Sequence, residues 1–122
     1  MSAPLIETIT NAYPHLAMTV DLLNPFERLC PISGEPQTGS TLRISYQAAA
    51  LLLETRALRR YLASFAGENP HGVRDLEEAA QRIALDCANA VGVAVTVSAD
   101  YRLAQGSMLV QVVAHPSPPA TP

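Results

Sequence analysis

One cysteine lies in a proline-rich loop and is well placed for nucleophilic chemistry. Cys30 lies within the segment 24–36, where Pro25 and Pro31 flank it and Arg28 is the only cation. Proline fixes its own φ and restricts the preceding residue, so such a loop holds a side chain in place without regular hydrogen bonding. A thiolate forms at neutral pH when nearby positive charge or oriented N–H groups lower the cysteine pKa from about 8.5. The pattern favours catalysis by Cys30, and the alternative is a small structural residue.

The composition describes one small domain that is rich in apolar residues. The chain has 122 residues, of which 48% are hydrophobic and 16% charged, and its formal net charge is −3. Because so small a domain has little interior for these side chains, we interpret the apolar excess as subunit interface. The negative charge and the 5% of aromatic residues argue against nucleic acid as a partner.

The sequence contains no pattern typical of a targeting segment or a metal site. No apolar run approaches about 18 residues, and no charged stretch precedes a hydrophobic block at the N-terminus. We therefore expect a cytoplasmic protein without membrane contact. Two cysteines, Cys30 and Cys87, and three scattered histidines, His15, His71 and His115, predict neither a disulfide framework nor a bound metal.

Hydrophobic periodicity changes along the chain from the alternation of strands to the spacing of helices. Leu42, Ile44 and Tyr46 alternate with polar residues, as in a half-buried strand. Two later segments repeat apolar residues with the helical period. Gly92 is predicted to end the second helix, and Gly106 to form the turn between the last two strands. The predicted elements are strands over 16–23 and 40–46, helices over 49–65 and 73–91, and strands over 93–101 and 107–114.

Each predicted helix has one apolar side. On the first helix this side contains Leu51, Leu58, Leu62 and Phe65. On the second it consists mostly of small residues, which allow close packing on a sheet. The second stripe is Ala79, Ala80, Ile83, Ala84, Cys87, Ala88 and Val91.

The order β-β-α-α-β-β predicts an α+β fold with both helices on one face of a four-stranded antiparallel sheet. Residues 1–15 then form an N-terminal segment, 16–115 a single domain and 116–122 a proline-rich tail. The second sheet face and both edges remain to be covered, and the last strands are more apolar than a solvated face requires. We predict that sheets of several subunits join edge to edge into a barrel. The apolar strand residues are Val93, Val95, Val97, Leu109, Val110, Val112 and Val113.

Several segments share their residue pattern with one known enzyme family. Residues 29–36, Leu-Cys-Pro-Ile-Ser-Gly-Glu-Pro, are similar to a Cys-Pro nucleophile loop, and residues 54–62, Glu-Thr-Arg-Ala-Leu-Arg-Arg-Tyr-Leu, to the signature helix Glu-Ser-Lys-Ser-Leu-Lys-Leu-Tyr-Leu. Residues 70–72 and 76–77 are similar to the Asn-His-Gly and His-Glu elements of the same family. Over residues 16–90 the chain thus resembles the QueF-type nitrile oxidoreductases of 7-deazapurine biosynthesis, which have the tunnelling fold, or T-fold.

The resemblance implies a homo-oligomer whose active sites lie at subunit interfaces and act on a deazapurine nitrile. Cys30 would attack the nitrile carbon to form a thioimide, which two NADPH hydrides would reduce to the primary amine. His71 would assist proton transfer, while Glu77 and Ser64 would bind the heterocycle. The positions that correspond to cofactor binding in the family are Glu54, Arg56 and Arg59.

Among the departures from the family pattern, two remove side chains that could transfer protons, and three functions stay open. Gln37 stands where the family has an aspartate, and Leu76 where it has a histidine. Because an amide cannot shuttle protons, the usual acid is missing, and Glu35 is the nearby carboxylate that could replace it. The three functions are an NADPH-dependent nitrile reductase, a QueF-like amidinotransferase that sends ammonia to the same thioimide, and a non-catalytic T-fold paralogue that binds a heterocycle.

Each of these residues also has a structural alternative. Glu77 lies in an acidic first turn that suits the positive end of a helix dipole. His71 could be a surface loop residue, and the charges of segment 54–60 could form an exposed helix face with ion pairs worth under about 1 kcal/mol each. Cys87 is expected in the core because it lies on an apolar stripe.

Overall fold

The structure is a computed structural model that describes residues 5–29, 34–66, 70–73 and 75–118. The proposed nucleophile Cys30 lies outside these ranges. The strands and helices within them are β1 (Thr8–Thr10), β2 (Thr19–Pro25), β3 (Thr41–Gln47), β4 (Leu51–Leu53), α1 (Thr55–Ala63), α2 (Leu76–Val91), β5 (Val95–Leu103) and β6 (Gly106–Ala114).

The strands form two antiparallel sheets. The larger has the order β2-β3-β5-β6, and the smaller pairs β1 with β4. In the larger sheet Leu22 lies opposite Ile44, which in turn lies opposite Val97, so apolar positions of successive strands share one face. The α+β class and the four-stranded antiparallel sheet with two helices packed on it are confirmed. Closure of several sheets into a barrel stays a prediction.

Helix α2 has the caps and the buried stripe that its sequence predicts. Asp75 is the N-cap, and its Oδ1 accepts a hydrogen bond of 2.7 Å from the N–H of Glu78. Gly92 ends the helix with a φ of 76°, a left-handed conformation that favours glycine. All seven residues of the predicted stripe are buried, and the helix packs against β5 and β6. The helix begins at Leu76 rather than at the predicted position 73.

The predicted helix over 49–65 is wrong in its first part. Leu51–Leu53 form β4 and pair with Thr8–Thr10 of β1. A run of three leucines suits a strand and a helix alike, and here the hydrogen bonds to β1 decide in favour of the strand. Helix α1 begins only after Glu54, whose carboxylate accepts hydrogen bonds from the N–H groups of Arg56 and Ala57.

The apolar residues of the last two strands are divided between the core and the surface. Val95 and Val97 are fully buried in β5, on which α2 packs, so they do not belong to an interface between sheets. Leu109 and Val113 lie on the opposite face with 77% and 58% of their surface exposed. Of the seven strand residues predicted for an interface, these two are the large side chains that the described structure leaves exposed. The other three residues predicted for that interface, Val93, Val110 and Val112, are partly buried against the core.

Both ends of the described chain contact the rest of the fold. Strand β1, near the N-terminus, is hydrogen-bonded to β4. In the proline-rich tail, the N–H of Ser117 donates to Asn89 Oδ1 at 2.7 Å. The division into segments 1–15, 16–115 and 116–122 stays a prediction. Neither helix of the described chain has the length and apolar character needed to cross a membrane.

Candidate functional site

The described flanks of the cysteine loop are joined by backbone hydrogen bonds. The N–H of Phe26 donates to the carbonyl oxygen of Ser40 at 3.0 Å, and the N–H of Arg28 donates to that of Pro36 at 2.8 Å. These bonds close the neck of the loop, on both sides of the residues 30–33 that lie outside the described ranges. The role of Cys30 therefore stays a prediction.

The far side of the loop is attached to the β5–β6 hairpin. Glu35 Oε2 accepts a hydrogen bond of 3.0 Å from the N–H of Ala104. The N–H of Gln37 donates to the carbonyl oxygen of Arg102 at 2.7 Å. Glu35, the possible substitute for the missing acid, thus has a carboxylate oxygen engaged in holding the hairpin.

An aromatic cluster joins the neck of the loop to α1 and to β5. We define it as Phe26, Tyr61, Phe65, His71 and Tyr101. The ring of Phe65 lies at its centre, with centroid distances of 3.9 Å to His71, 5.3 Å to Tyr61 and 5.9 Å to Phe26. Phe26 in turn lies 6.2 Å from Tyr101. The start of the cysteine loop, the end of α1 and the predicted histidine are therefore packed as one unit.

Ser64 and His71, both predicted as site residues, are in direct contact. The His71 Nε2 atom lies 2.6 Å from Ser64 Oγ, and the same hydroxyl donates to the carbonyl oxygen of Tyr61. The His71 ring is stacked on Phe65 with an interplanar angle of 6°. Burial lowers the pKa of His71 below its usual 6.5, although the nearby Asp86 carboxylate opposes the shift. His71 is therefore mostly neutral at pH 7, with one ring nitrogen able to accept a proton.

Sequence reasoning missed a second polar pair beside this one. The hydroxyl of Tyr61 donates to Asp86 Oδ2 at 2.5 Å, and burial, with a further contribution from this carboxylate, raises the pKa of the phenol. Asp86 lies within α2 between the stripe residues Ala84 and Cys87, and nothing in its spacing points to Tyr61. The pair borders an open cavity of about 390 Å³ lined by Leu5, Ile6, Tyr61, His71, Asp86, Asn89 and Ala90.

Glu77 lies on a different side of α2 from His71. It is exposed in the first turn, nine positions before Asp86. Nine residues of α-helix correspond to about 13 Å along the axis and about two and a half turns, so the two carboxylates point to opposite sides. Glu77 lies instead towards Tyr101, whose hydroxyl donates to the carbonyl oxygen of Leu76 at 2.9 Å. One chain thus brings Ser64 and His71 together but does not bring Glu77 to them.

The three residues predicted to bind the cofactor lie at the N-cap of α1 or within its first two turns. Glu54 is its N-cap, while Arg56 and Arg59 are exposed. Arg59 also borders a depression of about 150 Å³ together with Asn24 and Phe26, at the neck of the cysteine loop. Because guanidinium groups bind phosphate oxygens in a bidentate manner, the two arginines suit a phosphate-bearing cofactor, whereas the cap role of Glu54 is structural.

Cys87 has the core position that its sequence context predicts. Its side chain is fully buried among the apolar residues of α2 and the sheet. Burial, with a smaller contribution from the Asp86 charge, raises the pKa of its thiol to about 12. Cys87 is therefore a poor nucleophile at neutral pH. Within the described ranges, no group of three or more His, Cys, Asp or Glu side chains is arranged to hold a metal ion.

The fold and these contacts define an α+β domain in which a serine–histidine pair is packed, through Phe65, against the neck of a cysteine loop. Over 66 residues the chain is 35% identical to the NADPH-dependent 7-cyano-7-deazaguanine reductase of Chloroherpeton thalassium, and 33% identical to that of Chlorobium chlorochromatii. It is 32% identical to the enzyme of the same name from Chlorobaculum tepidum.

The similarity is distant and covers part of each protein. Each of these matches includes 53% of this chain and 56% of the relative, so the chain spans about half the length of the curated relatives it matches. No family model matches the chain. The predicted resemblance to QueF-type reductases is confirmed as a distant similarity over about half of the chain.

Proposed function

We propose that this chain is a nitrile reductase subunit that converts 7-cyano-7-deazaguanine to its aminomethyl product. The observation that carries the proposal is the similarity to curated reductases of that specificity. The packing of the loop neck, Ser64 and His71 around Phe65 supports it, because these are the parts that would have to cooperate.

Cys30 is the nucleophile in this proposal. Its thiolate adds to the nitrile carbon while the nitrile nitrogen takes up a proton, which gives a covalent thioimide. NADPH, when bound, supplies the two hydrides that reduce this carbon to the amine and release the thiolate. Arg56 and Arg59 hold the cofactor phosphates, since both guanidinium groups are exposed on α1 and Arg59 borders the loop neck.

Glu77 binds the N–H edge of the heterocycle through its two carboxylate oxygens. A carboxylate in this role discriminates well only where water is excluded, and Glu77 is exposed in the single chain. We therefore propose that a second copy of the chain covers this end of α2, so that each active site lies between two subunits of a homo-oligomer.

Gln37 favours a second candidate function, a non-catalytic subunit that binds the heterocycle. The family aspartate at this position is replaced by an amide, which neither gives nor takes a proton in the relevant pH range. A chain that has lost this acid but keeps the ligand pocket would bind the nitrile without consuming NADPH.

NADPH consumption by the purified chain with 7-cyano-7-deazaguanine tests the proposed function. We expect two NADPH oxidised per nitrile consumed, loss of turnover in Cys30→Ala, and unchanged turnover in Ser107→Ala, an exposed residue of the β5–β6 hairpin. No consumption under conditions where an authentic reductase turns over would rule out the reductase. An amidine product formed with ammonia and without NADPH oxidation would identify an amidinotransferase instead.

A further inference from the structure

The hydrogen bonds of Ser64 determine which nitrogen of His71 carries the proton. A hydroxyl has one proton, and that of Ser64 is donated to the carbonyl oxygen of Tyr61, which can only accept. Towards His71 the Ser64 oxygen therefore acts as acceptor, at 2.6 Å from Nε2. The neutral ring must then carry its proton on Nε2, and the lone pair remains on Nδ1.

The aromatic cluster prevents the ring from reorienting easily. His71 is stacked on Phe65 at 3.9 Å and meets the edge of Tyr61 at 5.3 Å with an interplanar angle of 76°. A half-turn of the imidazole about its Cβ–Cγ bond would pass through orientations that break the stack, and it would move Nε2 away from Ser64. The ring contacts with Phe65 and Tyr61 thus hold the orientation of the imidazole, and the contact with Ser64 selects its tautomer.

We propose that Ser64 is a positioning residue that holds His71 as the Nε2–H tautomer, so that Nδ1 is the atom that takes up and returns protons. The catalytic part of this inference rests on the proposed function. There, Nδ1 takes a proton from solvent and gives it to the nitrile nitrogen as Cys30 adds to the carbon, which returns the ring to its neutral form. His71 thereby supplies the proton exchange that Gln37 cannot.

The charges around His71 are compatible with this use. Among the described residues, Asp86 and Arg82 act on it from α2, and Tyr61 packs against it from α1. Asp86 favours the imidazolium, while burial and Arg82 disfavour it and prevail. The hydroxyl of Tyr61 is bound to Asp86 and so moderates its charge. The ring is mostly neutral at pH 7 and can accept a proton at Nδ1.

The tautomer is measurable by long-range ¹⁵N–¹H correlation spectroscopy of the histidine rings, whether or not the chain is an enzyme. In the wild type above the pKa of His71 we expect a protonated Nε2 and a proton-free Nδ1. Ser64→Ala should shift the ring towards a mixture of tautomers, and Ser64→Thr, which keeps the hydroxyl, should restore the wild-type pattern. A proton on Nδ1 in the wild type, or an unchanged pattern in Ser64→Ala, would overturn the inference.

The dependence of NADPH consumption on pH tests the use of the tautomer. Because general acid–base assistance contributes about 10²- to 10⁴-fold, we expect Ser64→Ala to lower kcat by at least about tenfold and to shift the acidic limb of the profile, with KM little changed. Ser64→Thr should recover most of kcat. Ser107→Ala is the matched control.

Two other outcomes of the NADPH assay would count against parts of the proposal. A raised KM with unchanged kcat in Ser64→Ala would show that Ser64 binds substrate directly and would overturn the positioning role. Absence of turnover in the wild type would remove the proposed function and the catalytic use of His71, whereas the tautomer would still be decided by the spectra.

Discussion

The two ends of the aromatic cluster differ in how completely one chain builds them. At the His71 end the ring is stacked, half-buried and bonded to a hydroxyl whose own proton is committed elsewhere. At the Tyr101 end Glu77 stands exposed in the first turn of α2. A single chain thus holds the Ser64–His71 pair in a fixed arrangement, whereas it leaves the proposed ligand anchor Glu77 open to solvent.

Replacement of Phe65 should have the largest effect, because its ring connects the two ends. Phe65→Ala removes a side chain that is 1% exposed and contacts three other rings of the cluster. We expect a loss of about 3–5 kcal/mol in the free energy of unfolding, measured in urea. Leu109→Ala, at an exposed position, should stay within about 0.5 kcal/mol of the wild type. A loss below about 1 kcal/mol for Phe65→Ala would show that the cluster does not hold the fold together.

Tyr61→Phe should have a smaller effect, confined to the His71 end. The variant removes the donor to Asp86 and leaves that carboxylate without this hydrogen bond. We expect a loss of about 1–3 kcal/mol in the free energy of unfolding. Tyr13→Phe is the matched control, since Tyr13 is 64% exposed, and it should be nearly neutral. Equal effects of both variants would contradict the role given to the Tyr61–Asp86 bond.

At the Tyr101 end, two neighbouring carboxylates should have different roles. Asp75 should contribute to stability, whereas Glu77 should contribute to ligand binding. Asp75→Ala removes the N-cap of α2, which should cost about 1 kcal/mol of unfolding free energy. Glu77→Gln should change that free energy by less than about 0.5 kcal/mol, yet weaken binding of the nitrile about tenfold to hundredfold in calorimetry. If Glu77→Gln bound the ligand as tightly as the wild type, Glu77 would be only a dipole-compensating residue.

The pH dependence of stability should show the smallest effect. Because the folded-state pKa of His71 is lowered, the folded chain binds a proton less readily than the unfolded chain. The contribution of the neutral His71 ring to the free energy of unfolding is therefore present above the unfolded-state pKa of about 6.5. It is lost as the pH falls through and below that value. His71→Gln should flatten this part of the curve of unfolding free energy against pH, whereas His115→Gln, at an exposed position, should not. If the free energy of unfolding of His71→Gln fell more steeply than that of the wild type as the pH is lowered, the predicted direction of the His71 effect would be contradicted.

The sequence could predict those parts of the fold whose pattern is local. The alternation of Leu42, Ile44 and Tyr46 and the small-residue stripe of α2 are confirmed because burial alone dictates them. The pairing of β1 with β4 was not predicted, since it joins Thr8 to Leu53 across most of the first half of the chain. Such short strands carry little periodicity, and their identity depends on a distant partner.

Individual residues of the candidate site could be predicted from the sequence, but the contacts between them could not. The resemblance named Ser64 and His71, and their contact could not follow from it because the two side chains, seven positions apart, meet only in the folded chain. The Tyr61–Asp86 bond links residues 25 positions apart on two helices, and nothing in their spacing indicates it. The separation of Glu77 from His71 likewise depends on how α2 is rotated against the sheet.

Intact-protein mass spectrometry tests most directly whether Cys30 attacks a nitrile carbon, as proposed. Incubation with 7-cyano-7-deazaguanine in the absence of NADPH should add the mass of one nitrile to the wild type, with the adduct mapped to Cys30 rather than to the buried Cys87. Cys30→Ala should show no addition. Absence of an adduct on the wild type, or an adduct that persists in Cys30→Ala, would contradict the claim.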